Sequence, residues 1–109
     1  MELRGIPFEV TDWESVSAER HAGQTGFAEW RTKQYGDIRV RLIRYSPGYR
    51  ADHWCAKGHI IFCVHGEMLT RLEDGREFTR RAGMSYQVGA GPPAHGTATA
   101  SGVTLFVVD

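Results

Sequence analysis

The chain has 109 residues and 12.2 kDa, enough for one hydrophobic core and too short for two. Lys plus Arg (13) balance Asp plus Glu (13), which argues against a basic nucleic-acid-binding module, and 41% hydrophobic with 24% charged residues excludes disorder. The longest apolar run, Ile60 to Val64, is far below the ~18 residues of a membrane span, and Met1 to Val10 lacks the layout of a secretion signal. A cytoplasmic setting with reduced Cys55 and Cys63 is the expectation.

Residues 1–26 read as an irregular N-terminal arm with at most one helical turn, capped by Thr11 or Asp12 and carrying Trp13 and Val16. After Gly26 the texture becomes aromatic and β-branched, punctuated by Gly, Asp and Pro-Gly. Strands are expected over Phe27–Lys33, Ile38–Tyr45, Tyr49–Cys55, His59–His65, Met68–Leu72, Glu77–Arg80, Met84–Val88, His95–Ala98 and Val103–Val108. In Ile38 to Leu42 apolar and basic residues alternate, which predicts a half-buried strand with Ile38, Val40 and Leu42 inward and Arg39, Arg41 and Arg44 on a solvated outer face. Asp74-Gly75 predicts a type I′ hairpin turn. Short strands at this spacing make an all-β sandwich or barrel, here one domain over 1–109 with the barrel at 27–108.

His53, Cys55 and His59 lie within one short stretch, and His95 follows a Pro-Pro turn. On a strand, residues two apart share a face, so His53 and Cys55 are expected to project together, opposite Asp52 and Trp54. Lys57-Gly58 then allows a turn of positive φ that brings His59 back beside Cys55. Imidazole and thiolate suit Zn, Fe, Ni or Cu rather than Mg or Ca. The competing reading of each residue taken singly is a satisfied core side chain.

These residues carry a resemblance. Gly48-x4-His53-x-Cys55-x3-His59-x6-Gly66 resembles the first cupin motif, and Gly83-x5-Gly89-x-Gly91-Pro92-Pro93-Ala94-His95 resembles the second. The wording Asp52-His53-Trp54-Cys55 is similar to the DHCW-motif cupins. The resemblance implies a jelly-roll β-barrel (double-stranded β-helix) holding one divalent transition metal, Zn, Fe, Ni or Mn, on His53, Cys55, His59 and His95. Cys55 stands where the family usually has His, His59 where it has Glu, and the second motif is one residue longer before His95. The function implied is a metal-dependent enzyme of dioxygenase, isomerase or lyase type acting on a small organic molecule, in a homodimeric assembly by family habit. The alternatives are a non-catalytic ligand- or metal-binding sensor and a structural-zinc barrel.

Cys63 shares parity with His59 and Ile61 and is expected inside as a small hydrophobe, whereas His65 is expected to face solvent. Tyr49, Ala51, Met84 and Tyr86 are candidates for the barrel lining. Trp30 and Trp54 are placed on the outer face, Phe27–Lys33 at the sheet edge, and His21 carries no spacing signal. Neither motif strand offers an inward carboxylate for general-base work.

Overall fold

The computed structural model describes residues 2–109. A 3-10 turn, Trp13–Ser15, is capped by Asp12, whose side chain accepts from the Glu14 N–H. Eight strands follow: β1 Glu19–Ala22, β2 Phe27–Tyr35, β3 Ile38–Tyr45, β4 His59–Leu72, β5 Glu77–Arg81, β6 Ser85–Val88, β7 His95–Ala98 and β8 Val103–Val108. All pairings are antiparallel, in the order β1-β2-β3-β8-β4-β5, with β6 and β7 also on β4. The expected all-β jelly roll is what the chain forms.

Strand β4 holds the two sheets together. Its first half lies between β8 and β6, and its second half pairs with β5 and β7. The two strands expected at His59–His65 and Met68–Leu72 are therefore one strand of 14 residues. Between Cys63 and His65 the register against β8 slips, and the bulge inverts the parity of burial. Ile61 and Cys63 face inward before it, Met68 and Thr70 after it. Gly66 closes this corner with φ +86°, and a Cβ there would stand 2.3 Å from the Gly102 carbonyl oxygen. Gly66→Ala should cost about 3 kcal/mol, the left-handed penalty plus a clash between backbones. Urea denaturation checks this against Gly89→Ala, where nothing lies within 4 Å and little change is expected.

The structure corrects four local expectations. Glu19–Ala22, read as loop, pairs with β2 and takes the edge position assigned to Phe27–Lys33. Tyr49–Cys55 is not a strand; its β-pairing is confined to isolated bridges at Arg50 and Cys55. The Asp74-Gly75 hairpin is not type I′, because only Gly75 has positive φ (98°). Instead the Gly75 N–H donates to the Leu72 carbonyl, and Leu72 N–H to Arg76, giving a type I turn with a left-handed glycine after it.

The fourth correction decides the site. On β3 the residues that face inward are Arg39, Arg41, Ile43 and Tyr45, the reverse of the expected phase for the first two. Leu42, opposite Phe106, itself opposite Phe62, lies on the outer face, as does the rung Val40–Val108–Ile60. That outer face is apolar, with Ile60, Phe62 and Val64 each close to half exposed and Trp13 edge-on to Phe106 at 6.3 Å. Arg44 points outward as expected. The core proper is Ile43, Ile61, Cys63, Met68, Leu105 and Val107.

Candidate metal centre

Cys55 and His95 are locked opposite each other by a reciprocal pair of backbone hydrogen bonds, Cys55 N–H to His95 O (2.7 Å) and His95 N–H to Cys55 O (2.8 Å). His59, at the start of β4, reaches the same spot, its Nε2 3.4 Å from Cys55 Sγ. The His59 and His95 rings meet edge to face at 5.1 Å. One ligand atom from each of Cys55, His59 and His95 falls within 4.8 Å of the others. His59 does not arrive by the expected hairpin, since its strand partner is Val88. Gly58 has no positive φ; it packs against the backbone of 88–90, where a Cβ would come 3.1 Å from Ala90 N.

His53 is not in this cluster. Its ring is 71% exposed and bonded through Nδ1 to Asp52 Oδ1 at 2.7 Å. The cause is a mismatch in length. The bridged positions Arg50 and Cys55 are five apart, while their partners Ala98 and His95 are three apart, so the chain bulges outward over Asp52–Trp54. Strand parity therefore fails between His53 and Cys55, and His53 sits at the cavity mouth, shared with a shallow outer cleft beside Trp54 and Arg71.

His95 is 4% exposed, and neither of its ring nitrogens has a hydrogen-bond partner. Burying an unpartnered imidazole is costly unless something binds it. Burial, reinforced by the nearness of His59, pushes the His95 pKa down and favours the neutral ring that a metal requires. Burial likewise lowers that of His59, against the pull of Asp109. Imidazole, imidazole and thiol, converging on an orphaned buried nitrogen pair, fit a borderline transition metal. Both cysteines are free of disulfide, and Cys63 is the buried hydrophobe expected.

Asp109 is the residue that motif reading missed. Val103, Leu105 and Val107 face inward on β8, and Asp109 continues their parity into the barrel, its side chain 1% exposed. Its Oδ2 accepts from His59 Nδ1 (2.7 Å) and from an Arg41 Nη (2.8 Å), while Arg39 donates through Nε to Oδ1 (2.9 Å) and through Nη to Oδ2 (3.0 Å). With the proton of His59 held on Nδ1, its Nε2 is left as a lone pair aimed at Cys55 and available to a metal. Burial alone would raise the Asp109 pKa, but the bonds and charges of Arg39, Arg41 and His59 hold it below the ordinary value.

The cluster opens into a cavity of about 250 Å3. Tyr49, Ala51 and Tyr86 line it as expected, and so does Trp30, which had been expected outside. Trp30 carries the Arg41 guanidinium over its ring at 4.7 Å and packs against the His21 ring, tilted by 34°, at 4.0 Å. Burial pushes the Tyr86 phenol up to about 12, so it is a neutral donor at any working pH.

The architecture matches known ones. The chain superimposes on a predicted oxalate decarboxylase of Thermotoga maritima with TM-score 0.77 at 15% identity, over 92% of this chain and 96% of that one. It matches an RmlC-like cupin of Shewanella frigidimarina with TM-score 0.74 at 19% identity, over 94% and 89%. The fold is that of the cupins. The polyketide cyclase RemF of Streptomyces resistomycificus is a third match, with TM-score 0.75 at 20% identity, over 94% and 78%. At these identities the likeness carries the fold and not the reaction. No protein-family model matches the sequence, and no curated protein matches it. Among the described residues no helix is long and apolar enough to cross a membrane.

Proposed function

We propose that this cupin is a metal-dependent enzyme of the DHCW-motif kind, acting on a small organic molecule inside the barrel by isomerase, lyase or dioxygenase chemistry. The observation that carries the reading is His95, buried with two unpartnered nitrogens beside Cys55 and His59. These three would hold one divalent transition metal (Zn, Fe, Ni or Mn), and His53 would join them by leaving Asp52. When bound, the metal supplies Lewis-acid polarisation of a substrate oxygen or activation of a ligand. Asp109 fixes the His59 tautomer, Cys55 would add thiolate charge to a bound metal, and Trp30 and Tyr86 line the cavity. Three of these ligands face a cavity, and with His53 as the fourth a tetrahedral zinc would be closed, so the enzyme reading requires a metal that takes five or six ligands or one from which His53 stays away. That solved relatives in fold include a predicted decarboxylase and a cyclase supports an enzyme without naming the reaction. In a cytoplasmic setting the Cys55 thiol stays reduced and available.

The deciding experiment is elemental analysis of protein purified without an affinity tag or chelator. One transition metal per chain is the expected result. Substoichiometric metal of mixed identity overturns the reading.

The same proposal includes a homodimer. The outer face built by Val40, Leu42, Phe106, Phe62 and Ile60 is apolar, and the N-terminal arm leaves Leu3 (64%), Phe8 (97%) and Val10 (86%) exposed. Two unburied apolar surfaces on one chain are satisfied together by a second copy, the arm of each lying on the sheet of the other. Phe62→Glu should shift the protein from dimer to monomer in light scattering at micromolar concentration. A wild type that is monomeric throughout removes this part of the proposal.

A further inference from the structure

We propose that the cavity is built for a small organic anion, its carboxylate or other oxyanion seated on Arg41 above the Trp30 ring. This deepens the enzyme reading by naming the charge of the substrate, and rests on that reading only for placing the anion beside the metal centre.

The lining of the cavity includes Arg39, Arg41 and Lys57 but no Asp or Glu. Asp109, the one carboxylate in contact with the two arginines, is not among the lining residues. Nor is its charge shared evenly. Arg39 grips both of its oxygens, through Nε and one Nη, whereas Arg41 reaches Oδ2 with a single Nη that competes with Arg39 and His59 for the same atom. Arg41 is 4% exposed, and its Nε is buried with no hydrogen-bond partner. A guanidinium is always charged, and burying one with a donor unsatisfied is unfavourable by itself. A bound oxyanion supplies the negative charge that Asp109, shared among Arg39, Arg41 and His59, does not give Arg41 in full, and its two oxygens match the guanidinium fork.

Packing makes the seat rigid. Arg41 lies over the Trp30 ring, and Trp30 is backed by His21, so the guanidinium plane is held against the inner wall. Asp109 Oδ2 joins Arg41 to His59, which places the anion seat one carboxylate away from the candidate metal ligands. Lys57 adds positive charge from the loop before β4, and its field favours entry of an anion. The volume, about 250 Å3, is smaller than the ~300–1,000 Å3 of pockets for drug-sized ligands, so the anion is small.

The test is binding of benzoate, its neutral isostere benzamide, and inorganic phosphate to metal-free and zinc-loaded protein. The readout is the indole N–H resonance of Trp30, assigned with Trp30→Phe. Benzoate should bind at least about tenfold tighter than benzamide in both forms, and Arg41→Gln should remove that preference while Arg44→Gln, on the outer face, keeps it. If Arg41→Gln does not fold, the comparison of benzoate with benzamide in the wild type still decides. Equal affinity for the two, or no binding of any probe up to about 10 mM, overturns the proposal. Benzoate binding that needs zinc and ignores Arg41 also overturns it, yet leaves the metal reading standing. Charge-selective binding by a protein that takes up no metal does the reverse. Preference for phosphate over benzoate identifies the oxyanion as phosphate rather than carboxylate and supports the seat.

Discussion

Chelation should lower the melting temperature of the wild-type protein sharply, and His95→Ala and Cys55→Ser should abolish that response. A ligand that binds only the native state stabilises it by about 4 kcal/mol when its free concentration is a thousandfold above Kd. In a domain of this size each kcal/mol moves the melting temperature by about 4–8 °C, so the expected fall with EDTA is on the order of 15–30 °C. Without metal, His95 is a liability, because both ring nitrogens are buried and unpartnered. The two variants therefore differ from the wild type most when metal is present and least when it is absent. That sign is the reverse of an ordinary core truncation, which destabilises the protein regardless of metal. Equal losses with and without chelator would mean that His95 is a core side chain and the cluster is not a metal site. His53→Ala measures the fourth ligand separately: an unchanged metal affinity leaves His53 bonded to Asp52 as it stands.

Most of the architecture was legible because hydrophobic period and turn chemistry are local properties. The strands β2, β3, β5, β7 and β8 fall where aromatic and β-branched runs end at Gly, Asp or Pro. What failed was phase. Alternation in Ile38 to Leu42 gives the period of the strand but not which set faces in, and charge is the remaining local guide. That guide misleads here because both faces of the β3-β8-β4 sheet are apolar: Leu42, Phe106 and Phe62 outside, Ile43, Leu105 and Cys63 inside. Arg41 is in phase with Ile43, and Asp109 with Leu105 and Val107, so parity extended from the buried residues would have found both. The shared face expected of His53 and Cys55 failed for a different reason. The two extra residues opposite β7 show only once Arg50 and Cys55 are paired with Ala98 and His95, and pairing over 40 residues of chain is not a local property. Conversely, Cys55 and His95 were recognisable from motif spacing although Tyr49–Cys55 forms no strand.

Asp109→Asn should be the most damaging isosteric change in the molecule. Asparagine keeps the shape but removes the charge that compensates Arg39, Arg41 and the His59 N–H. Removing one partner of a buried ion pair costs about 3–5 kcal/mol, and the lower end applies because Arg39 is 24% exposed. A loss of about 3 kcal/mol is a large share of the ~5–15 kcal/mol that holds a domain of this kind together. The consequence for pH follows from the direction of the shift. Asp109 titrates below its ordinary value of 3.8 in the folded state, so its contribution is complete above that value and is lost as the pH falls through the folded one. The gap in stability between wild type and Asp109→Asn should therefore be constant near pH 7 and narrow below about pH 4. His59 and His95, whose folded values lie below 6.5, act in a higher window. In metal-free protein they erode stability as the pH drops below 6.5, and the His95 part of that loss is common to both proteins. Urea midpoints measured across the range separate the two windows. Metal affinity supplies the second readout, because an amide can donate to His59 Nδ1 and move the imidazole proton to Nε2, the nitrogen aimed at Cys55. Loss of such an orienting carboxylate weakens metal binding by about 10–100-fold. If Asp109→Asn lowers stability and leaves metal affinity intact, the carboxylate serves the arginines alone and has no part in orienting His59.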